Sequence, residues 1–153
     1  MTALVPITAE NWEAALAVRV QPERLRFVAS VEPVAMILLA KCLVNPDGQK
    51  WHPFALVASD GVVGIVGVGV AGDVAWVHHV LIDHAQQGRG YGRALMVLVG
   101  DWLRSLGTVT RVGLNVLPEN EVGWALYASL GFTPIATTVD GQTITMAWLE
   151  DVA

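Results

Sequence analysis

Cysteine is almost missing from this chain of 153 residues, where Cys42 stands alone. One thiol excludes an intrachain disulfide framework and fits a reducing compartment, in which a lone cysteine is ordinarily an apolar filler. Charge is also scarce, at 15% of residues, and cations are the scarcer sign: nine Lys and Arg against fourteen Asp and Glu. Nine scattered cations and a net charge of −5 make no basic face, so no nucleic-acid partner is expected. Long apolar runs are absent. The longest, residues 33–40 and 62–71, are too short to span a bilayer, and the second is interrupted by Gly64, Gly67 and Gly69. No basic stretch leads into an apolar one near Met1, so no signal peptide and no membrane association are expected, and the cytoplasm is the expected location. Two familiar nucleotide loops are missing as well. No Gly-Lys-Ser/Thr completes a Walker loop, and the Gly-x-Gly-x-x-Gly pattern fails from Gly88, where the sixth position is Arg93, and from Gly90, where it is Leu95.

What is present is apolar: 54% of residues are hydrophobic. The length suits one domain, residues 1–153, with a core of useful size. So apolar a composition suggests further buried surface, such as a homodimer interface. The acidic balance could draw cationic amines toward the protein, although solubility alone accounts for it. Neither an internal repeat nor a low-complexity segment appears. A strand-like start at residues 4–7 is followed by three helical segments. The first begins near residues 8–11 and carries Trp12, Ala15, Leu16 and Val18 at core spacing; Pro22 and Pro33 open the others. Asn45-Pro46-Asp47-Gly48 marks a turn. A hairpin of residues 54–58 and 62–70 follows, then a strand over 74–82, a helix over 91–106, a strand over 111–116 and a helix over 119–130 stopped by Gly131. Strands 132–139 and 143–148 close the chain. Meander first and crossover helices later describe an α/β protein with a mixed sheet.

The densest chemical signal is Gln87-Gly88-Arg89-Gly90-Tyr91-Gly92-Arg93, between the strand over 74–82 and the helix over 91–106. Glycines let backbone N–H groups approach a ligand, and a helix start offers free donors and partial positive charge. Arg89 and Arg93 add guanidinium groups suited to phosphate oxygens. The physical reading is a pyrophosphate cradle. A second cluster lies downstream: Asn120-x-x-Gly123-x-x-Leu126-Tyr127, then Gly131-Phe132.

Together, Gln87-x-x-Gly90-x-Gly92 and this downstream cluster resemble the GNAT superfamily of N-acetyltransferases. The N-terminal residues Ile7-Thr8-Ala9-Glu10-Asn11-Trp12, Pro22-Glu23 and Phe27-Val28-Ala29-Ser30, with Ile82-Asp83, look like its bacterial diamine and polyamine branch. The chain departs from that branch at Arg24, where glutamine is usual, and at Val31, where asparagine is usual. The resemblance implies a mostly antiparallel sheet of about six to seven strands flanked by helices and split between the fourth and fifth. It implies acetyl transfer from acetyl-CoA, as co-substrate and without a metal, to a small-molecule primary amine, a diamine or polyamine foremost. A protein N-terminus, a lysine or an amino acid is the alternative acceptor. A non-catalytic acyl-CoA-binding module is the alternative of another class.

By the same resemblance, the pyrophosphate meets Gly88, Arg89, Gly90, Tyr91, Gly92 and Arg93, with Gln87 supporting the loop. The pantetheine arm pairs with backbone at Leu81, Ile82 and Asp83 and touches Asn120. Tyr127 sits beside the sulfur as general acid. A general base is less evident. Many superfamily members carry glutamate on the strand before the loop, and that place falls near Trp76. Counting by twos puts Trp76, His78, Val80 and Ile82 on one face and His79 on the other, which makes His78 the nearest titratable candidate. Asp83 or Glu32 could act through water, or the amine could shed its proton to solvent. Trp76 could stack on a cationic amine, with Glu32 beside it.

Overall fold

In the computed structural model, residues 1–30 and 32–152 are described; Val31 lies outside them. The chain runs through β1 (Ala3–Pro6), α1 (Trp12–Leu16), a 3-10 turn (Pro22–Phe27), α2 (Val34–Val44), β2 (Lys50–Ala58), β3 (Gly61–Ala71) and β4 (Val74–Ile82). It continues through α3 (Tyr91–Leu106), β5 (Arg111–Val116), α4 (Glu121–Ser129), β6 (Thr133–Thr137) and β7 (Thr143–Trp148). The seven strands form one sheet in the order β1-β2-β3-β4-β5-β7-β6. Every pairing is antiparallel except β4 with β5. This is the mixed, mostly antiparallel architecture expected from the sequence.

Two apolar layers sandwich the sheet. On one face Leu95, Met96, Val99 and Leu103 of α3 pack with Tyr127, Leu130 and strand residues such as Val66, Val77, Val112 and Leu114. On the other, Ala15 and Val18 join Val34 and Ala35 of α2 against Ile65 and Leu81. β3 explains its own glycines. A Cβ at Gly67 would run into the end of the Leu38 side chain and touch the Trp51 ring, so the missing methyl lets α2 and Trp51 lie close on the strand. Trp12, set at core spacing by the sequence, is instead 45% exposed, because α1 ends after five residues and turns only Ala15 fully inward.

The split is visible in the ladder. β4 and β5 pair only over residues 74–77 opposite 111–114. Beyond that point residues 78–82 have β3 on one side and no strand on the other. β4 also carries an irregularity. Its pairing with β3 jumps from Gly67 opposite His78 to Ile65 opposite Leu81, and His79 has φ +55°. One extra residue in a strand shifts every later side chain to the opposite face.

Candidate functional site

A cavity of about 530 Å³ opens where the β4–β5 ladder stops. Val80, Leu81 and Ile82 of β4 line it, together with Gln86, Gln87 and most of the glycine loop. Asn120, Gly123, Leu126 and Tyr127 supply the α4 side. Val20, Arg24, Phe27 and Val28 supply a wall from the segment after α1.

The loop is shaped by side chains at its entrance. Asp83 receives the Ala85 N–H at 3.2 Å and, through its other oxygen, the Arg19 N–H at 2.9 Å. Gln87 Nε2 donates to the Ile82 carbonyl at 3.2 Å and so folds the loop back against the end of β4. Gly88 and Gly90 both sit at φ +80°, which side-chain-bearing residues adopt only with strain. Gly90 caps α3 with no side-chain acceptor of its own. Among the described residues, no backbone N–H from Gly88 to Arg93 donates to a protein acceptor. A row of donors without protein acceptors at a helix start suits an anion, and the helix dipole adds to this. Arg93 borders it, with Nη2 2.5 Å from Ser129 Oγ.

α4 presents the other two groups. Asn120 Oδ1 accepts the Gly123 N–H at 3.1 Å, capping the helix and leaving its amide nitrogen free to donate. A Cβ at Gly123 would stand 2.6 Å from that nitrogen, so the cap requires glycine there. Tyr127 is buried, its ring edge-on to Phe132 with centroids 6.0 Å apart. Its hydroxyl has no hydrogen-bond partner among the described residues, and burial pushes its pKa up to about 12. The phenol therefore stays protonated at neutral pH.

Several expected residues lie elsewhere. Arg89 points away from the cavity, 3.9 Å from Asp60 in an exposed ion pair. Asp83 shapes the loop entrance without lining the cavity. Glu32 pairs with Arg19 at 3.4 Å, away from the cavity walls. Trp76 lies across Gly113 of β5, where a Cβ would be 2.6 Å from its ring.

His78, the expected base, does not line the cavity either. Its ring stacks on Trp51 at 4.3 Å, and its Nε2 is buried without a partner. Burial foremost, then the charges of Lys41 and His79, lower its pKa to about 3. The period-two reading fails because of the irregularity at His79. His79 also faces the α2 side, with Nδ1 2.6 Å from the Val28 carbonyl and Nε2 3.0 Å from Lys41 Nζ. Val80 and Ile82 pack with the α3-side core instead. So His78 does not share a face with Val80 and Ile82, and His79 does not point opposite to it.

Val20, Gln86 and Val122 line the cavity with no signal in the sequence, whereas Phe27, Val28 and Leu126 stand within the resembling motifs. Arg24 also lines it, a cation where the resembling branch has glutamine. Among the described residues no group of three His, Cys, Asp or Glu is placed to hold a metal ion, and no helix is long and apolar enough to cross a membrane.

Comparison with known proteins bears on this geometry. The family model described as Acetyltransferase (GNAT) family matches residues 23–132. The [ribosomal protein bS18]-alanine N-acetyltransferase of Salmonella typhimurium is 33% identical over 92 residues, 60% of this chain and 62% of that protein. The aligned part is thus less than two thirds of this relative's length. Among solved structures, spermidine N-acetyltransferase from Vibrio cholerae with CoA and spermine superposes with a TM-score of 0.76 at 14% identity, covering 99% of this chain and 97% of the other. AAC(6′)-Ib with paromomycin and acetyl-CoA superposes at 0.78 with 16% identity, covering 98% and 94%. At these identities the superpositions establish the fold.

Proposed function

The chain belongs to the acetyltransferase (GNAT) family, and we propose that it moves an acetyl group directly from acetyl-CoA to an amine. The observation that carries this reading is the pairing of two features in one cavity. Unsatisfied N–H groups from Gly88 to Arg93 suit a pyrophosphate, and the open edge of β4 at residues 80–82 suits the peptide-like pantetheine arm. An arm laid along that edge brings the thioester toward Tyr127, with Asn120 alongside.

The neutral amine attacks the thioester carbonyl carbon. A C–N bond forms as the C–S bond breaks, and Tyr127 gives its proton to the departing thiolate. The amine nitrogen loses one proton, and Tyr127 regains one from solvent. No Asp, Glu or His among the described residues lines the cavity, so that proton goes to water.

The acceptor is a small-molecule or protein amine. A diamine or polyamine fits the N-terminal resemblance. Among the described residues no carboxylate lines the cavity, which favours an acceptor with one amine over a polycation. Among such acceptors a peptide N-terminus is the second reading, supported by the alanine N-acetyltransferase relative. Thiol release from acetyl-CoA, measured across polyamines, amino acids and N-terminal peptides, tests all of this. Turnover with an amine supports the enzyme. CoA binding without turnover for any amine leaves the acyl-CoA-binding module instead.

A further inference from the structure

The wall contributed by residues 22–28 is fixed to the rest of the site at two points, and their order along the chain is informative. The Val28 carbonyl is 2.6 Å from His79 Nδ1, in the middle of β4. Arg24 Nη1 is 3.5 Å from Gln87 Oε1, at the start of the glycine loop. The segment therefore runs alongside β4 with Arg24 at the phosphate end and Phe27 and Val28 farther along toward Val80. Arg24 faces the cavity and has no ion-pair partner among the described residues. Its guanidinium shares the cavity with Arg93 and with the glycine loop whose N–H groups lack protein acceptors, and no carboxylate among the described residues lines that cavity. An arginine so placed lacks an anion, and planar guanidinium donors match phosphate oxygens.

We propose that Arg24, carried by the segment after α1, is a ligand for the cofactor pyrophosphate. This rests on the acetyl-CoA reading above.

Calorimetric titration with CoA, dephospho-CoA and pantetheine tests the proposal in the wild-type chain, Arg24→Gln and Arg24→Lys. Arg24→Gln is expected to weaken CoA by about tenfold to a hundredfold, the worth of one charge-assisted hydrogen bond. The same loss is expected for dephospho-CoA, which keeps the pyrophosphate, and none for pantetheine, which lacks phosphate. Arg24→Lys should recover part of the affinity. CoA should slow hydrogen exchange across residues 22–28 in the wild type and not in Arg24→Gln. Three results overturn the proposal: unchanged CoA affinity, an equal loss for pantetheine, or a change confined to the KM of the acceptor. Failure of the wild type to bind CoA at all would instead overturn the cofactor reading itself.

Discussion

Replacing Tyr127 with phenylalanine isolates one oxygen atom. The ring is 9% exposed and packs against Phe132, and phenylalanine keeps that contact. The lost hydroxyl has no hydrogen-bond partner among the described residues. The cost in stability is accordingly about 1 kcal/mol or less. The cost in chemistry is of a different size. A positioned general acid contributes about a hundredfold to ten-thousandfold, or about 3–5 kcal/mol of barrier. Tyr127→Phe should therefore lower kcat and kcat/KM together by about a hundredfold or more, with CoA affinity unchanged, the pattern of an interaction made in the transition state. The pH profile adds a second test. With its pKa pushed up to about 12, Tyr127 keeps its proton across the working range. The wild-type rate should rise as the acceptor amine deprotonates and should not fall again before pH 10. Thiol release at saturating amine, beside calorimetry with CoA, reads both quantities. A variant within twofold of wild-type kcat would refute the assignment, and an alkaline fall near pH 8 would refute the environment argued for the phenol.

Asn120→Ala removes the cap that holds the Gly123 N–H; it should cost about 1 kcal/mol, lowering Tm by about 2–4 °C, and also weaken CoA. Unchanged Tm and CoA affinity would remove Asn120 from both roles. Gly90→Ala meets no atom within 4 Å, so its cost is backbone strain at φ +80°, about 1–2 kcal/mol; CoA affinity should drop with stability. Gly48→Ala, at φ +69° in a distant turn, should cost similar stability and leave CoA binding intact; equal CoA loss in both variants would make the loop effect nonspecific. Stability should also decline with acidity. His78 is neutral in the fold down to a pKa of about 3, whereas the unfolded chain takes up that proton near pH 6.5. The unfolded state then binds more protons between those values, so Tm falls as pH drops below 6.5. His78→Phe should flatten that decline and leave turnover unchanged; an equally steep decline would refute it.

The parts of the fold that could be read from sequence are those whose local signals agree with their packing. β4, α3 and β5 begin and end at the residues expected, because apolar runs and glycine stops coincide there with buried faces. α4 starts at Glu121, two residues later than expected, since Asn120 serves as its cap. β2 starts at Lys50, ahead of the expected residue 54, and the reason is Pro53. Proline usually argues against an interior strand. Here the Pro53 carbonyl accepts from Ile7, so its missing N–H also faces β1, and that ladder ends with Pro6 opposite Phe54. The segment opened by Pro22 is a 3-10 turn of six residues, and its value lies in carrying Arg24, Phe27 and Val28 to the cavity, which no periodicity reveals.

The glycine loop and the helix start behind it were legible because they are written in backbone chemistry, in residues adjacent in sequence. The placement of His78 was not, because it depended on counting faces across His78 and His79. Neither residue type marks a bulge. The irregularity is held by partners far away in sequence, the Val28 carbonyl and Lys41, both on His79. Once the strand slips by one residue, the imidazole expected at the acceptor is buried on Trp51 instead. The cavity is then walled by two arginines, amides, glycines, apolar side chains and two tyrosines. Arginine cannot take a proton from an ammonium, and Tyr127, with its pKa near 12, already holds its own. In the acetyl-transfer reading the amine must therefore enter neutral. An apolar wall without carboxylates assists this, because it penalises the charged form of the acceptor and leaves the neutral form unopposed. The pH dependence of kcat/KM should accordingly follow the acceptor's own pKa and shift when the acceptor is changed. A profile fixed at one pKa for amines of differing basicity would reveal a protein base that this cavity does not contain.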